Sequence, residues 1–238
     1  MTLAPEETVE IGGLRALSVG SPENAAFTLV LLHGFQMVPG ALSPFAQSIG
    51  LPGWFLYPEG IASAPPGRAW WYIDPAARDA AIARGPRDFA PQNPPDLPEA
   101  RRRLTAFLDA LTPQAGRDAR GNKRPLLVGG FSQGGMLVCD TLLRTDRRVD
   151  GLVLLSTSRV AFSEWGPYLA TSSAFRGVPT LLAHGETDPD LAFTTGLALR
   201  DQLIALGADV EWVPFPQGHE IPLVVWRRLR KFLEARSK

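Results

Sequence analysis

PLLVGGFSQGGMLVCDTLL, residues 125–143, sets one serine among four glycines where an apolar run gives way to a helical pattern. Pro125 to Val128 reads as the lead into a strand covered on both faces, and Gln133 to Leu143 as a helix whose apolar residues recur at helical spacing. Between them lies GxSxG, with Gly130, Ser132 and Gly134 at the fixed positions. In a strand-turn-helix context this pattern forms a strained turn that exposes the serine Oγ, and bulky neighbours there would collide with adjacent elements. The glycines are room for the bend. The five-residue pattern alone is weak, and its flanks make it specific. The competing reading is a Gly-rich turn capped by the serine hydroxyl.

The same alternation runs along the chain. Val9 to Val19 suggests a hairpin turning at Gly12 and Gly13. Apolar strand candidates follow at Thr28 to Leu32, Trp54 to Tyr57, Leu126 to Gly129, Leu152 to Leu155, Thr180 to Ala183 and Val210 to Phe215. Helical periodicity is present at about Leu97 to Leu111, Gln133 to Leu143, Thr194 to Leu206 and Pro222 to Ala235. Continuously apolar strands alternating with helices argue for a mostly parallel, doubly wound α/β sheet with helices on both faces and an N-terminal antiparallel hairpin. With no repeat and no charge block, residues 1–238 read as one domain. One stretch breaks the rhythm: Pro58 to Pro98 carries many prolines, several arginines and the cluster Trp70, Trp71, Tyr72. Its aromatics argue against disorder, so an ordered loop over the sheet's C-terminal edge is expected, where open α/β sheets bind ligands.

The 24 Lys and Arg balance the 24 Asp and Glu, so the summed field offers no general attraction to nucleic acid or anionic lipid. The local basic runs, Arg101 to Arg103 and Arg227, Arg228, Arg230, Lys231, alternate with apolar residues as the solvent faces of amphipathic helices do. The start, MTLAPEETVE, has no basic flank and no apolar core of a secretion signal, and no apolar run approaches the roughly 18 residues needed to cross a bilayer. These features predict a cytoplasmic protein with no membrane insertion. A single cysteine, Cys139, excludes an internal disulfide and reads as helix core. Only three lysines (Lys123, Lys231, Lys238) among many alanines and prolines point to a GC-rich bacterial source.

A serine at its free pKa is a poor nucleophile and needs a base, which a carboxylate must hold in the correct tautomer. The choice is narrow, because the chain has three histidines, His33, His184 and His219. In the order Ser, acid, His, only His219 follows both Ser132 and a strand-end acid. It lies in PQGHEIP between the last strand candidate and the last helix, where a loop residue could reach back. His33 and His184 each precede a glycine at a strand's end, positions suited to anchoring loops. The acid comes from HGETDPD, which offers Glu186, Asp188 and Asp190; Asp188 is preferred, and spacing alone leaves Glu186 a rival. None of the histidines is paired at ligand spacing, so no metal is expected. Charge on the substrate carbonyl oxygen needs donors, and the backbone N–H groups of Gln133, after the nucleophile, and Phe35, after the early strand, are the candidates.

LLHGF at 31–35, GRAWWYID at 67–74, GFSQGG at 130–135, AHGETD at 183–188 and GHEI at 218–221 together resemble the phospholipase/carboxylesterase family of α/β hydrolases, which includes bacterial carboxylesterases and acyl-protein thioesterases. The resemblance implies Ser132 as nucleophile, Asp188 as acid, His219 as base, and Trp70, Trp71 and Tyr72 in a loop bordering the substrate pocket. Two departures stand out. The early loop reads HGFQMVPG where the family commonly has a glycine and an aspartate soon after HG, and Pro189 and Asp190 follow the acid where valines are frequent.

The reading that follows is a cofactor-free serine carboxylesterase acting on short- to medium-chain or aromatic esters of small molecules through an acyl-enzyme on Ser132. Thioesterase or lysophospholipase activity is the alternative within the same chemistry. A catalytically silent binding protein with this fold is the alternative outside it. The sequence does not set the oligomeric state.

Overall fold

The computed structural model describes residues 6–115 and 124–237. Residues 1–5, part of the chain start read above, and Lys123 and Lys238 lie outside the described residues. The strands are β1 (Glu6–Ile11), β2 (Leu14–Val19), β3 (Phe27–Leu32), β4 (Gly53–Pro58), β5 (Ala62–Ala64), β6 (Gly67–Ala69), β7 (Leu126–Phe131), β8 (Gly151–Leu155), β9 (Pro179–Gly185) and β10 (Asp209–Phe215). The helices are α1 (Ser43–Ile49), α2 (Pro75–Ile82), α3 (Leu97–Ala115), α4 (Gln133–Thr145), α5 (Gly166–Leu169), α6 (Phe193–Ala205) and α7 (Leu223–Glu234).

Eight strands form one sheet in the order β1-β2-β4-β3-β7-β8-β9-β10. β1 pairs β2 and β2 pairs β4 antiparallel, and the remaining neighbours are parallel. This is the α/β hydrolase arrangement the sequence predicts, with the N-terminal hairpin at one edge. Because side chains alternate across a strand, β3 feeds two separate cores. Val30 and Leu32 pack with α3 and α4, whereas Leu29 and Leu31 pack with α1 and α7. α3 presents Leu97, Ala100, Leu104, Phe107, Leu108 and Leu111 to the first core, a stripe at the helical period. α7 presents Val225, Leu229, Phe232 and Leu233 to the second and leaves Arg227, Arg228, Arg230 and Lys231 exposed. Cys139 is fully buried in α4, and burial, reinforced by the charge of Asp140, pushes its thiol far above the ordinary range. No helix among the described residues is long and apolar enough to cross a membrane.

The segment 58–98 differs from the irregular loop expected of it. β5 and β6 pair as a small antiparallel hairpin, and α2 follows, with the Asp74 side chain accepting from the Ala77 N–H at 3.0 Å and Pro75 opening the first turn. α2 buries no residue, so its sequence carries no apolar stripe to read. α1 was equally silent: seven residues give too few turns for a period to emerge.

Leu29 is fully buried mid-strand between β4 and β7. Leu29→Ala is expected to lower the unfolding free energy by about 3 kcal/mol, read as a shifted urea midpoint with unchanged slope. A loss of less than about 1 kcal/mol would contradict the packing described.

Candidate active site

Ser132 joins β7 to α4 with φ 52° and ψ −119°, a backbone conformation that costs a non-glycine residue about 1–3 kcal/mol and must be held by its surroundings. The hold is visible. The Ser132 N–H donates to the Leu155 carbonyl at 2.9 Å, and its own carbonyl accepts from the Gly135 N–H at 3.0 Å and the Thr157 hydroxyl at 2.8 Å. A Cβ on Gly130 would lie 2.4 Å from the carbonyl carbon of Gly134, and one on Gly134 would lie 2.6 Å from the carbonyl oxygens of both Leu32 and His33. Backbone therefore packs on backbone at the turn, which only glycine permits.

The loop after β10 carries His219 back to the serine. Its Nε2 is 2.9 Å from Ser132 Oγ and its Nδ1 is 2.7 Å from Asp188 Oδ2. A carboxylate oxygen can only accept, so Nδ1–H donates to Asp188 and Nε2 is free to accept from the serine hydroxyl. The Asp188 side chain is fully buried, and its second oxygen accepts from the N–H groups of Asp190 (2.8 Å) and Leu191 (2.9 Å). The acid and base loops meet at Gly185, where a Cβ would lie 2.2 Å from the Gly218 carbonyl oxygen, and the next N–H, that of Glu186, donates to the Phe215 carbonyl at 2.7 Å. The Ser156 hydroxyl donates to the Glu220 carbonyl at 3.3 Å, beside His219. The Phe131 ring packs 4.9 Å from the imidazole, centre to centre.

The other candidates fall elsewhere. Glu186 is exposed and Asp190 is buried between the guanidiniums of Arg78 and Arg87. His33 is fully buried; its Nδ1–H donates to the Gly34 carbonyl at 2.7 Å and its Nε2 accepts from the Gly60 N–H at 2.9 Å. His184 is fully buried as well and donates from Nε2 to the Leu191 carbonyl at 3.1 Å. Burial holds both imidazoles below the ordinary value of 6.5, and neither points to Ser132. They anchor loops, as their places at strand ends suggest.

Phe35, Ser132 and Gln133 line one small cavity, and neither the Phe35 nor the Gln133 backbone N–H donates to another group among the described residues. Gln133 has a further role that the sequence did not reveal: its side-chain amide accepts from the Trp70 N–H at 2.8 Å and donates to the Trp71 carbonyl at 2.9 Å. The aromatic cluster itself divides. Trp70 is fully buried, and its indole N–H donates to the His33 carbonyl at 2.9 Å, so it braces the early loop. Trp71 and Tyr72 line a cavity of about 680 Å³ together with Ile73, Arg78, Arg87 and Phe89. Arg78 and Arg87 had no signature in the sequence, since each meets its partner more than a hundred residues away.

Residues 89–237 match the family described as Phospholipase/Carboxylesterase. Acyl-protein thioesterase 1 of Neurospora crassa is 27% identical over 112 residues, a stretch covering 47% of this chain and 46% of that protein. The chain thus matches about half the length of that relative. Among solved structures, esterase PE8 has a TM-score of 0.71 at 22% identity, covering 92% of this chain and 96% of its own. A carboxylesterase from Mesorhizobium loti has a TM-score of 0.71 at 20% identity, covering 98% of this chain and 99% of its own. At such identities the two structures speak to the fold.

The buried imidazoles make stability depend on pH. An unfolded chain protonates histidine near 6.5, whereas the folded form resists until lower pH, so unfolding takes up protons and stability falls as pH drops below about 6.5. His33→Asn or His184→Asn is expected to flatten the decline in Tm between about pH 6.5 and 5, measured by thermal melts across that range. Slopes identical to the parent's in both variants would contradict it.

Proposed function

The chain belongs to the phospholipase/carboxylesterase family, and from that premise we propose that it is a serine carboxylesterase hydrolysing short- to medium-chain or aromatic carboxylic esters through an acyl-enzyme on Ser132. The observation that carries this reading is the hydrogen-bonded line Asp188, His219, Ser132, at 2.7 and 2.9 Å.

In this reading His219 Nε2 takes the Oγ proton as Ser132 attacks the ester carbonyl carbon, and Asp188 stabilises the imidazolium that forms. Negative charge gathers on the carbonyl oxygen, where the N–H groups of Phe35 and Gln133 receive it; one such donor contributes about 2.7–4 kcal/mol to barrier lowering. Gln133 also opens α4, so the positive end of the helix dipole favours the same charge. His219 then gives its proton to the departing alcohol oxygen, leaving the acyl group on Ser132. Water follows the same path: His219 takes its proton, the hydroxyl attacks the acyl carbon, and Ser132 leaves with the proton returned. No cofactor enters this sequence. Tyr72, exposed on the wall of the 680 Å³ cavity, supplies apolar surface for the substrate, and the buried Trp70 and Trp71 are held in place by the Gln133 amide.

The likeness to an acyl-protein thioesterase favours a second reading, in which the same machinery cleaves a thioester. Matched oxygen ester and thioester pairs with one acyl group decide between them by their kcat/KM ratio.

On nitrophenyl esters of graded chain length, Ser132→Ala is expected to lose at least about a thousandfold in kcat and all labelling by a fluorophosphonate probe. Turnover by the variant equal to the parent's would remove the serine from the mechanism.

A further inference from the structure

The 680 Å³ cavity and the small cavity beside Ser132 share Trp71, Ile73, Arg78, Arg87 and Phe89 in their walls, so the larger recess adjoins the narrow one at the nucleophile. One wall is apolar. The other brings together three guanidiniums, Arg78, Arg84 and Arg87, and two carboxylates, Asp88 and Asp190. Asp190 bonds Arg78 through one oxygen and Arg87 through the other. Burial alone would favour its neutral form, yet the hydrogen bond and charge of Arg87, with help from His219 and Arg78, hold its carboxyl below the ordinary range. A single carboxylate thus serves two guanidiniums and leaves positive charge over. Arg78 also approaches Asp79 at 3.6 Å, but Asp79, Asp88 and Arg84 are all exposed and weakly felt, so the charge left over is that of the less exposed trio Arg78, Arg87 and Asp190. Asp88 accepts from the Ala90 N–H at 2.8 Å. Arg84 is exposed and makes no ion pair among the described residues.

Arg78 and Arg87 are also held in place, whereas Arg84 is free to swing toward a ligand's charge. The Arg87 guanidinium lies 4.5 Å from the centre of the Phe89 ring and Arg78 lies 5.8 Å from that of Phe35. The Arg87 backbone is tied to the acid loop, its N–H donating to the Asp190 carbonyl at 2.8 Å and its carbonyl accepting from the Ala192 N–H at 3.0 Å. A pocket meant only for an alkyl chain gains nothing from fixed, partly desolvated guanidiniums, whereas planar forks suit an oxyanion group.

We propose that this recess selects esters carrying a terminal carboxylate, which Arg78, Arg84 and Arg87 receive while the ester carbonyl sits at Ser132. The proposal rests on the serine esterase reading and names its substrate class. Asp190, standing where the resembling family frequently has valine, is the residue that gathers Arg78 and Arg87 at the entrance.

Two substrate pairs test it, each matched in size: nitrophenyl hydrogen glutarate against nitrophenyl 4-carbamoylbutanoate for the acyl side, and 4-carboxyphenyl butyrate against 4-carbamoylphenyl butyrate for the alcohol side. In at least one pair the anionic member is expected to have the higher kcat/KM by about fivefold, mainly through KM, and the advantage shrinks at about 0.5 M salt. Arg84→Lys keeps that ratio, Arg84→Ala lowers it and Arg84→Glu lowers it further. No anionic advantage in either pair, or an advantage indifferent to both salt and Arg84→Glu, overturns the proposal. Failure of the underlying esterase reading looks different: neither neutral ester is hydrolysed and the fluorophosphonate probe labels nothing.

Discussion

The contact of Gly134 with the carbonyls of Leu32 and His33 governs this molecule more than any other. It brings the first turn of α4 against the end of β3, at a distance where a single methyl group would not fit. Three things follow from it. Ser132 is lifted out of the sheet at a strained φ, Phe35 and Gln133 come to line one cavity with it, and the His33 carbonyl is brought to where the Trp70 indole donates to it. The early loop, the elbow and the aromatic segment are thereby one assembly. The Gln133 amide closes it by bonding both Trp70 and Trp71.

The acid loop is organised by two aspartates with opposite outlooks. Asp188 faces inward, accepts two backbone N–H groups on one oxygen and offers the other to His219. Asp190, two residues on, faces the recess and gathers Arg78 and Arg87. The same short loop therefore orients the proposed base and sets the charge of the cavity wall. This economy follows from geometry: the chain leaves β9 beside β10, so its first residues meet the histidine loop and its next ones meet the segment that carries α2.

Much of this was legible beforehand, and for particular reasons. Five of the six parallel-type strands, β3, β4, β7, β8 and β9, were readable because burial on both faces demands unbroken apolar runs. β10, at the sheet edge, alternates buried and exposed residues instead, and each of the six extends only one to three residues beyond the expected limits. Ser132 stood out because GxSxG falls at a strand-to-helix turn, where the glycines leave room for the bend. His219 emerged by elimination among three histidines. α1 and α2 were not legible, the one too short for periodicity and the other without a buried face. Trp70, Trp71 and Tyr72 were expected together in a loop bordering the substrate pocket; that Trp70 and Trp71 are both buried, and that the Trp70 indole also serves the early loop, was not legible.

The sequence by itself determined the order of the eight strands of the main sheet and of the helices α3, α4, α6 and α7, the turn that presents Ser132 and the short list of partners for it, because these depend on local sterics and on periodic burial. Tertiary structure alone decided which carboxylate faces His219, that Gln133 clamps the aromatic segment 63 residues away, and that Arg78 meets Asp190 across 112 residues. Such pairings depend on how distant loops cross above a sheet edge, and no local preference of the chain encodes where two of them will touch.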